Sequence, residues 1–238
     1  MERSERDVKA IRWGAFALIG AIGADLAEEL VDPANSDKAS KIYDAAANHS
    51  GRIAIAAVLL LLSAAFIVPG VWGLVRLLDQ RGRGAGRVAA VLALMGAMGH
   101  SALGGIYLFW TELAKDGANR GQMVALVKRF NDSGLVAIMA PLLIAFAFTF
   151  LMLAIAMYRA RVVSVWALVL VLVGLVVYAA EPLSTLASGA ISMACVLAAS
   201  CLIAAGALRE LRNGGVMIPT PGPGSGIPRS PAPGGLPS

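Results

Sequence analysis

The sequence predicts an all-α fold: a polytopic integral membrane bundle of six transmembrane helices with a disordered Pro/Gly-rich C-terminal tail. Three observations carry this prediction. Of the 238 residues, 58% are hydrophobic and only 15% are charged, a balance foreign to soluble domains of this size. The apolar residues fall in blocks close to the roughly 20 residues that a helix needs to cross about 30 Å of hydrocarbon. Spans of a membrane β-barrel would instead alternate over about 10 residues. The charged residues collect at the block ends, so the formal charge of +5 reads as a topology signal and excludes nucleic acid as a partner.

The first span runs from Ile11 to Leu30. Its basic start and short apolar run from Trp13 to Ala24 also fit a secretory signal, whose cleavage would leave five spans. Glu2, Glu5 and Asp7 in the basic region, and the lack of an A-x-A site, favour a retained helix. The remaining spans are Ile53 to Val75, Val88 to Trp110, Gly134 to Met157, Val162 to Ala180 and Leu183 to Leu208. Pro69 and Pro141 lie inside spans two and four at positions that do not match between two three-span halves, so no internal repeat is read.

Two loops are long enough to hold structure. In the third, GQMVALVKRF places Met123, Leu126, Val127 and Phe130 on one helical face and turns Lys128 and Arg129 elsewhere, which predicts a short interfacial helix. In the first, SDKASKIYDAAANHS predicts a similar, weaker one. Residues 1–211 thus form the membrane domain. Residues 212–238, rich in Pro, Gly and Ser, bury too little apolar surface to offset their ordering entropy.

Orientation follows from the basic residues. The N-terminus, the second and fourth loops and the tail hold thirteen of the twenty Lys and Arg, which places both termini in the cytoplasm of a cell membrane. Glu28, Glu29, Asp32, Asp44, Glu112 and Glu181 then fall at the outer side.

Ionisable groups deep in a span need a reason, because even lenient insertion scales charge about 2.5–3.5 kcal/mol for them near the bilayer centre. His100, in GAMGHSALGG, lies about 15 Å below Trp110, and Asp25 about 8 Å below the end of span one. Ala93, Gly96, Ala97 and Gly104 share the face of His100, while Gly14, Ala17, Ala21 and Glu28 share that of Asp25. Small residues at this spacing mark sides where helices approach closely, so both polar groups are expected to look inward. A carboxylate beside an imidazole makes a proton-binding pair. The competing expectation is a neutral His100 that hydrogen-bonds a backbone carbonyl or a serine of span six.

The candidate ligand- or proton-binding residues are therefore His100, Asp25, Glu28, Glu112, Glu181, Ser188 and Ser192. The last two belong with Ser184 to a polar line on span six, although serine on a membrane helix also satisfies itself on its own backbone. Glu112 and Glu181 read equally as solvated helix ends. No cofactor is expected, since a single embedded histidine offers no bis-histidine haem pair. No metal is expected either, since HxxxH, HExxH and ExxH spacings are absent. Cys195 and Cys201 face different directions on one helix and read as packing residues. RGRGAGR lacks the strand and the GK[ST] of a phosphate loop, and its arginines suit anionic lipid headgroups.

The hydropathy pattern contains no diagnostic motif and implies no activity. The first reading is an outward-facing polar pocket for a small molecule, ion or lipid headgroup, used in transport or sensing. A membrane-embedded enzyme acting on a lipid or isoprenoid, with Asp25 or Glu28 and His100 as acid and base, is the second. A ligand-free accessory subunit in a homo- or hetero-oligomer, held by small-residue faces, is the third.

Overall fold

The computed structural model describes residues 4–34, 36, 38–78, 82–115, 119–180 and 185–214, apart from the side chains of residues 135, 136, 185 and 214. Among the described residues the fold is all-helical: α1 (Glu5–Val31), α2 (Ala39–Asn48), α3 (Ser50–Val75), α4 (Arg83–Leu113), α5 (Arg120–Asn131), α6 (Gly134–Arg159), α7 (Val165–Ala180) and α8 (Thr185–Gly214). Each predicted span overlaps a helix over its described residues, and helices form in both loops. The expected disordered tail lies outside the described residues beyond Gly214.

Local chemistry explains the helix ends. The Ser4 side chain accepts from the Asp7 N–H, and Glu5 and Asp7 complement the dipole at the start of α1. That helix stops at Asp32, ahead of Pro33. The α6 helix closes with Arg161 at φ 61° and the Val162 N–H bonded to the Met157 carbonyl at 2.9 Å, the left-handed cap that turns the chain back into α7. Helices α3 and α6 continue through Pro69 and Pro141.

Among the described residues four helices, α3, α4, α6 and α8, are long and apolar enough to cross a membrane, and α7 is a shorter apolar helix. The 27-residue α1 is equally long but carries Asp25, Glu28 and Glu29 toward its end. Packing arranges these six elements in a closed ring, α1–α3–α4–α6–α7–α8 and back to α1. Ring neighbours run antiparallel. A single core of Ile11, Leu18, Ile67, Phe150, Val171, Ile203 and their neighbours draws on all six helices.

The ring closes tightly because glycine removes side chains where backbones meet. A Cβ on Gly73 of α3 would lie 2.5 Å from the Ala10 carbonyl oxygen and 2.8 Å from Gly14 Cα on α1. A Cβ on Gly96 of α4 would sit 2.7 Å from Phe146 Cα on α6. Small-residue faces of this kind drive helix association where no water remains to drive it.

The outer surface is lipid-like. Trp13, Trp72, Tyr158 and Trp166 are exposed at the end where α1 begins and α8 ends, the terminal end. Phe109 and Tyr178 are exposed toward the other. Aromatic girdles at two levels, with exposed Leu, Ile, Val and Phe between them, are the pattern of membrane interfaces.

At that other end α2 and α5 pack on one another and cap the ring. Val127 is the buried residue of α5, with Met123, Leu126 and Phe130 half-buried and Lys128 and Arg129 exposed, as the periodicity predicts. Arg120 bridges to Asp44 through two bonds of 2.9 and 2.8 Å, and this pairing holds the Asp44 carboxyl below the usual carboxylate range. Beside the cap, Ala45, Ala46, Ile53, Ala57 and Tyr107 form a second apolar cluster.

Candidate functional site

The inward face of α1 carries Asp25, Glu28, Glu29 and Asp32, spaced i, i+3, i+4 and i+7 and therefore aligned along one side over about 10 Å. Asp25, Glu28 and Asp32 are all buried. Helix α4 answers with His100 and Tyr107, also two turns apart and also buried.

His100 Nε2 lies 3.5 Å from Asp25 Oδ2, and the Tyr107 hydroxyl donates to Asp32 Oδ2 at 2.9 Å. Both contacts join residues 75 apart in sequence. The parallel helices α1 and α4 are thus in register across the ring, with one acid–partner contact every two turns.

The histidine is fixed from three sides. Its Nδ1 lies 3.2 Å from the Gly96 carbonyl oxygen. A carbonyl can only accept, so Nδ1 carries a proton and Nε2 is the atom presented to Asp25. Phe146 of α6 lies against the ring, centroids 3.8 Å apart, and Phe146 in turn meets Phe150 edge-on. Gly96 and Gly99 make this possible by letting α6 approach α4 at Phe146 and Leu142. His100 bonds a backbone carbonyl through one nitrogen and faces a carboxylate through the other, so it has the contacts of both expectations.

Asp25 is the least satisfied group in the site. It is 3% exposed, and neither carboxylate oxygen has a hydrogen-bond partner among the described residues. A buried carboxylate in this state is costly unless positive charge or donors reach it. With Nδ1 already donating, a neutral imidazole would turn a lone pair toward an ionised Asp25. The contact is attractive only when one proton lies on Nε2 or on the carboxyl.

The rest of the acidic row lies close together. Glu28 reaches the Tyr107 phenol and faces Asp25, Glu29 and Asp32. Glu29 lies against Gly189 of α8, its carboxylate occupying the space a Cβ there would take. Asp32 accepts from the Ala34 N–H at 2.8 Å. Burial pushes its carboxyl above the usual range, while that N–H, Tyr107 and the Arg52 charge pull the other way. Arg52 also donates to the Val31 carbonyl at 3.1 Å, anchoring α3 beside the end of α1.

Of the remaining predicted residues, Ser188 and Ser192 are buried on α8. Glu112 is exposed and paired with Lys115 one turn away, so it stands apart from the buried row as a solvated helix end. Glu181 and Ser184 lie outside the described residues. Sequence reasoning passed over Tyr107, Asp32 and Phe146 as site members. The signal for the first two was present, since Asp32 repeats Asp25 and Tyr107 repeats His100 at a seven-residue interval. No group of three or more His, Cys, Asp or Glu side chains gathers in metal-holding geometry among the described residues.

Fold and site together define a helical membrane protein with a carboxylate–imidazole pair buried inside a ring of helices. The chain belongs to the family described as a domain of unknown function (DUF4386), whose model matches residues 13–211. Neither curated proteins nor solved structures give a match.

Proposed function

We propose that the protein is a six-span bundle of the cytoplasmic membrane, both termini inside, whose polar pocket opens outward and binds a small cationic molecule or ion in exchange for a proton, in transport or sensing. The Asp25–His100 contact carries this reading. One proton held between two buried groups is a charge that an incoming cation replaces, and Asp25 has open acceptor positions to receive it. The acceptors gathered at the site suit a cation. Asp25, Glu28 and Asp32 are buried together along the end of α1, with Arg52 and His100 as basic neighbours.

Orientation rests on the excess of Lys and Arg around the terminal end. The two remaining bundle members fit a span as well. Helix α1 is long enough, with its acids turned into the ring rather than to lipid, and α7 suits a bilayer locally thinned around it.

The test is proton release from the full chain reconstituted in liposomes, followed with a pH-sensitive dye while sodium, potassium, choline, guanidinium and short alkylammonium ions are added in turn. At least one of these releases protons from the native protein and fails to do so from Asp25→Asn. Proton binding indifferent to every cation, and unchanged in Asp25→Asn and His100→Gln, refutes the reading.

A further inference from the structure

A second site stands at the opposite end of the ring, remote from the carboxylates. Helices α1 and α8 leave between them an open groove of about 450 Å³, lined by Arg12 from α1 and by Ala205, Leu208, Arg209, Leu211 and Arg212 from α8. The spacing on α8 explains the lining. Positions 205, 208, 209 and 212 follow i, i+3, i+4 and i+7, one face of the helix, and Arg12 comes from the neighbouring, antiparallel α1.

The arginines here lack the partners that other charges at this end have found. Glu5 pairs with Lys9 at 2.7 Å, and Asp7 pairs with Arg76 at 3.2 Å. Arg12, Arg209 and Arg212 are exposed, and none has a carboxylate within ion-pair reach among the described residues. The nearest thing to a partner is the Val162 carbonyl, 3.5 Å from Arg209 Nη2. Glu210 follows Arg209 in sequence but does not line the groove.

Three guanidiniums with no ion-pair partner among the described residues, set around an apolar floor, specify their ligand. The fork of each guanidinium matches the oxygens of a phosphate, and three of them exceed what a single carboxylate neutralises. Ala205, Leu208 and Leu211 give the groove a surface that a free, fully hydrated anion has no use for. The exposed Trp13 beside Arg12 places the groove at the level where headgroups lie. We propose that this groove binds the phosphate headgroup of an anionic membrane lipid, with the glycerol and first acyl carbons over the three apolar residues, and that a lipid bearing two phosphates binds better than one bearing a single phosphate.

The experiment is lipid titration of the full chain in neutral detergent, read by native mass spectrometry and by thermal shift. The probes are a diphosphate lipid (cardiolipin), phosphatidylglycerol, zwitterionic phosphatidylcholine and water-soluble glycerol phosphate. Affinity is expected to fall in that order, with no shift from glycerol phosphate. Each of Arg12→Gln, Arg209→Gln and Arg212→Gln is expected to weaken cardiolipin binding about fivefold. Lys9→Gln and Arg159→Gln, exposed at the same end but off the groove, leave it unchanged. Single substitutions at exposed positions keep the fold, so a null result counts. Equal losses from the off-groove variants would show a diffuse surface charge and overturn the site. Glycerol phosphate binding as tightly as the lipids would overturn the lipid.

Discussion

His100 and Asp25 meet inside the ring at 3.5 Å, one turn-pair below the contact of Tyr107 with Asp32 at 2.9 Å. These two rungs join α1 to α4 across the intervening α3, so the acidic row and its partners form one connected polar face. A change on either helix is therefore felt on both.

Removal of one member of the pair is expected to cost more than removal of both. His100→Leu leaves Asp25 buried with neither donor nor counter-charge, and breaking a buried pair in this way costs about 3 kcal/mol or more. The double variant Asp25→Leu/His100→Leu removes the stranded group and restores most of that loss. Unfolding of the four proteins in detergent measures the coupling, and costs that simply add would show that the two residues do not interact.

Glycine positions should separate into two kinds. At Gly73 a methyl group meets the backbone of Ala10 and Gly14, which cannot rotate away, and Gly73→Ala is expected to destabilise by about 1–3 kcal/mol. At Gly23, where a Cβ meets nothing within 4 Å, alanine improves the helix by about 0.5–1 kcal/mol. Melting temperatures of the two variants moving in the same direction would contradict the ring packing.

The two acids nearest the cap have opposite pH signs. Asp44 is held low by Arg120, so its stabilising contribution is present above the unfolded aspartate value of about 3.9 and is lost as pH falls through the lower folded value. Asp32 is raised by burial. Its ionisation therefore opposes folding, with no penalty below the unfolded value and the full penalty once pH exceeds the folded one. Hydrogen exchange should show α2 and α5 loosening in acid and in Asp44→Asn. Asp32→Asn should gain stability relative to the native protein as pH rises, and a variant that loses it instead would reverse the assignment.

Much of this was legible in the sequence because the bilayer imposes length and polarity on each helix separately. The span edges at Val75 and Ala180 coincide with helix ends, and the small residues beside Asp25 and His100 pointed both inward. Register between helices was not legible. Counting from each span's outer end put His100 about 7 Å deeper than Asp25, yet they touch, because α4 continues beyond Tyr107 to Leu113 while α1 stops at Asp32 beside that tyrosine. The offset of 75 residues is set by how α3 packs on both helices, through contacts such as Gly73 on Gly14, which a single chain read in order does not disclose. Phe146 is likewise one of several phenylalanines on α6 until Gly96 brings it onto the imidazole.

In the proposed pairing His100 commits Nδ1 to the Gly96 carbonyl and shares one proton with Asp25 through Nε2. Nitrogen-15 NMR of histidine-labelled protein in lipid tests it directly, in a His49→Gln background that leaves His100 as the single histidine. A protonated Nδ1 is the expected result, with Asp25→Asn altering the Nε2 signal and leaving Nδ1 in place. A bare Nδ1, or an Nε2 signal indifferent to Asp25→Asn, would contradict it.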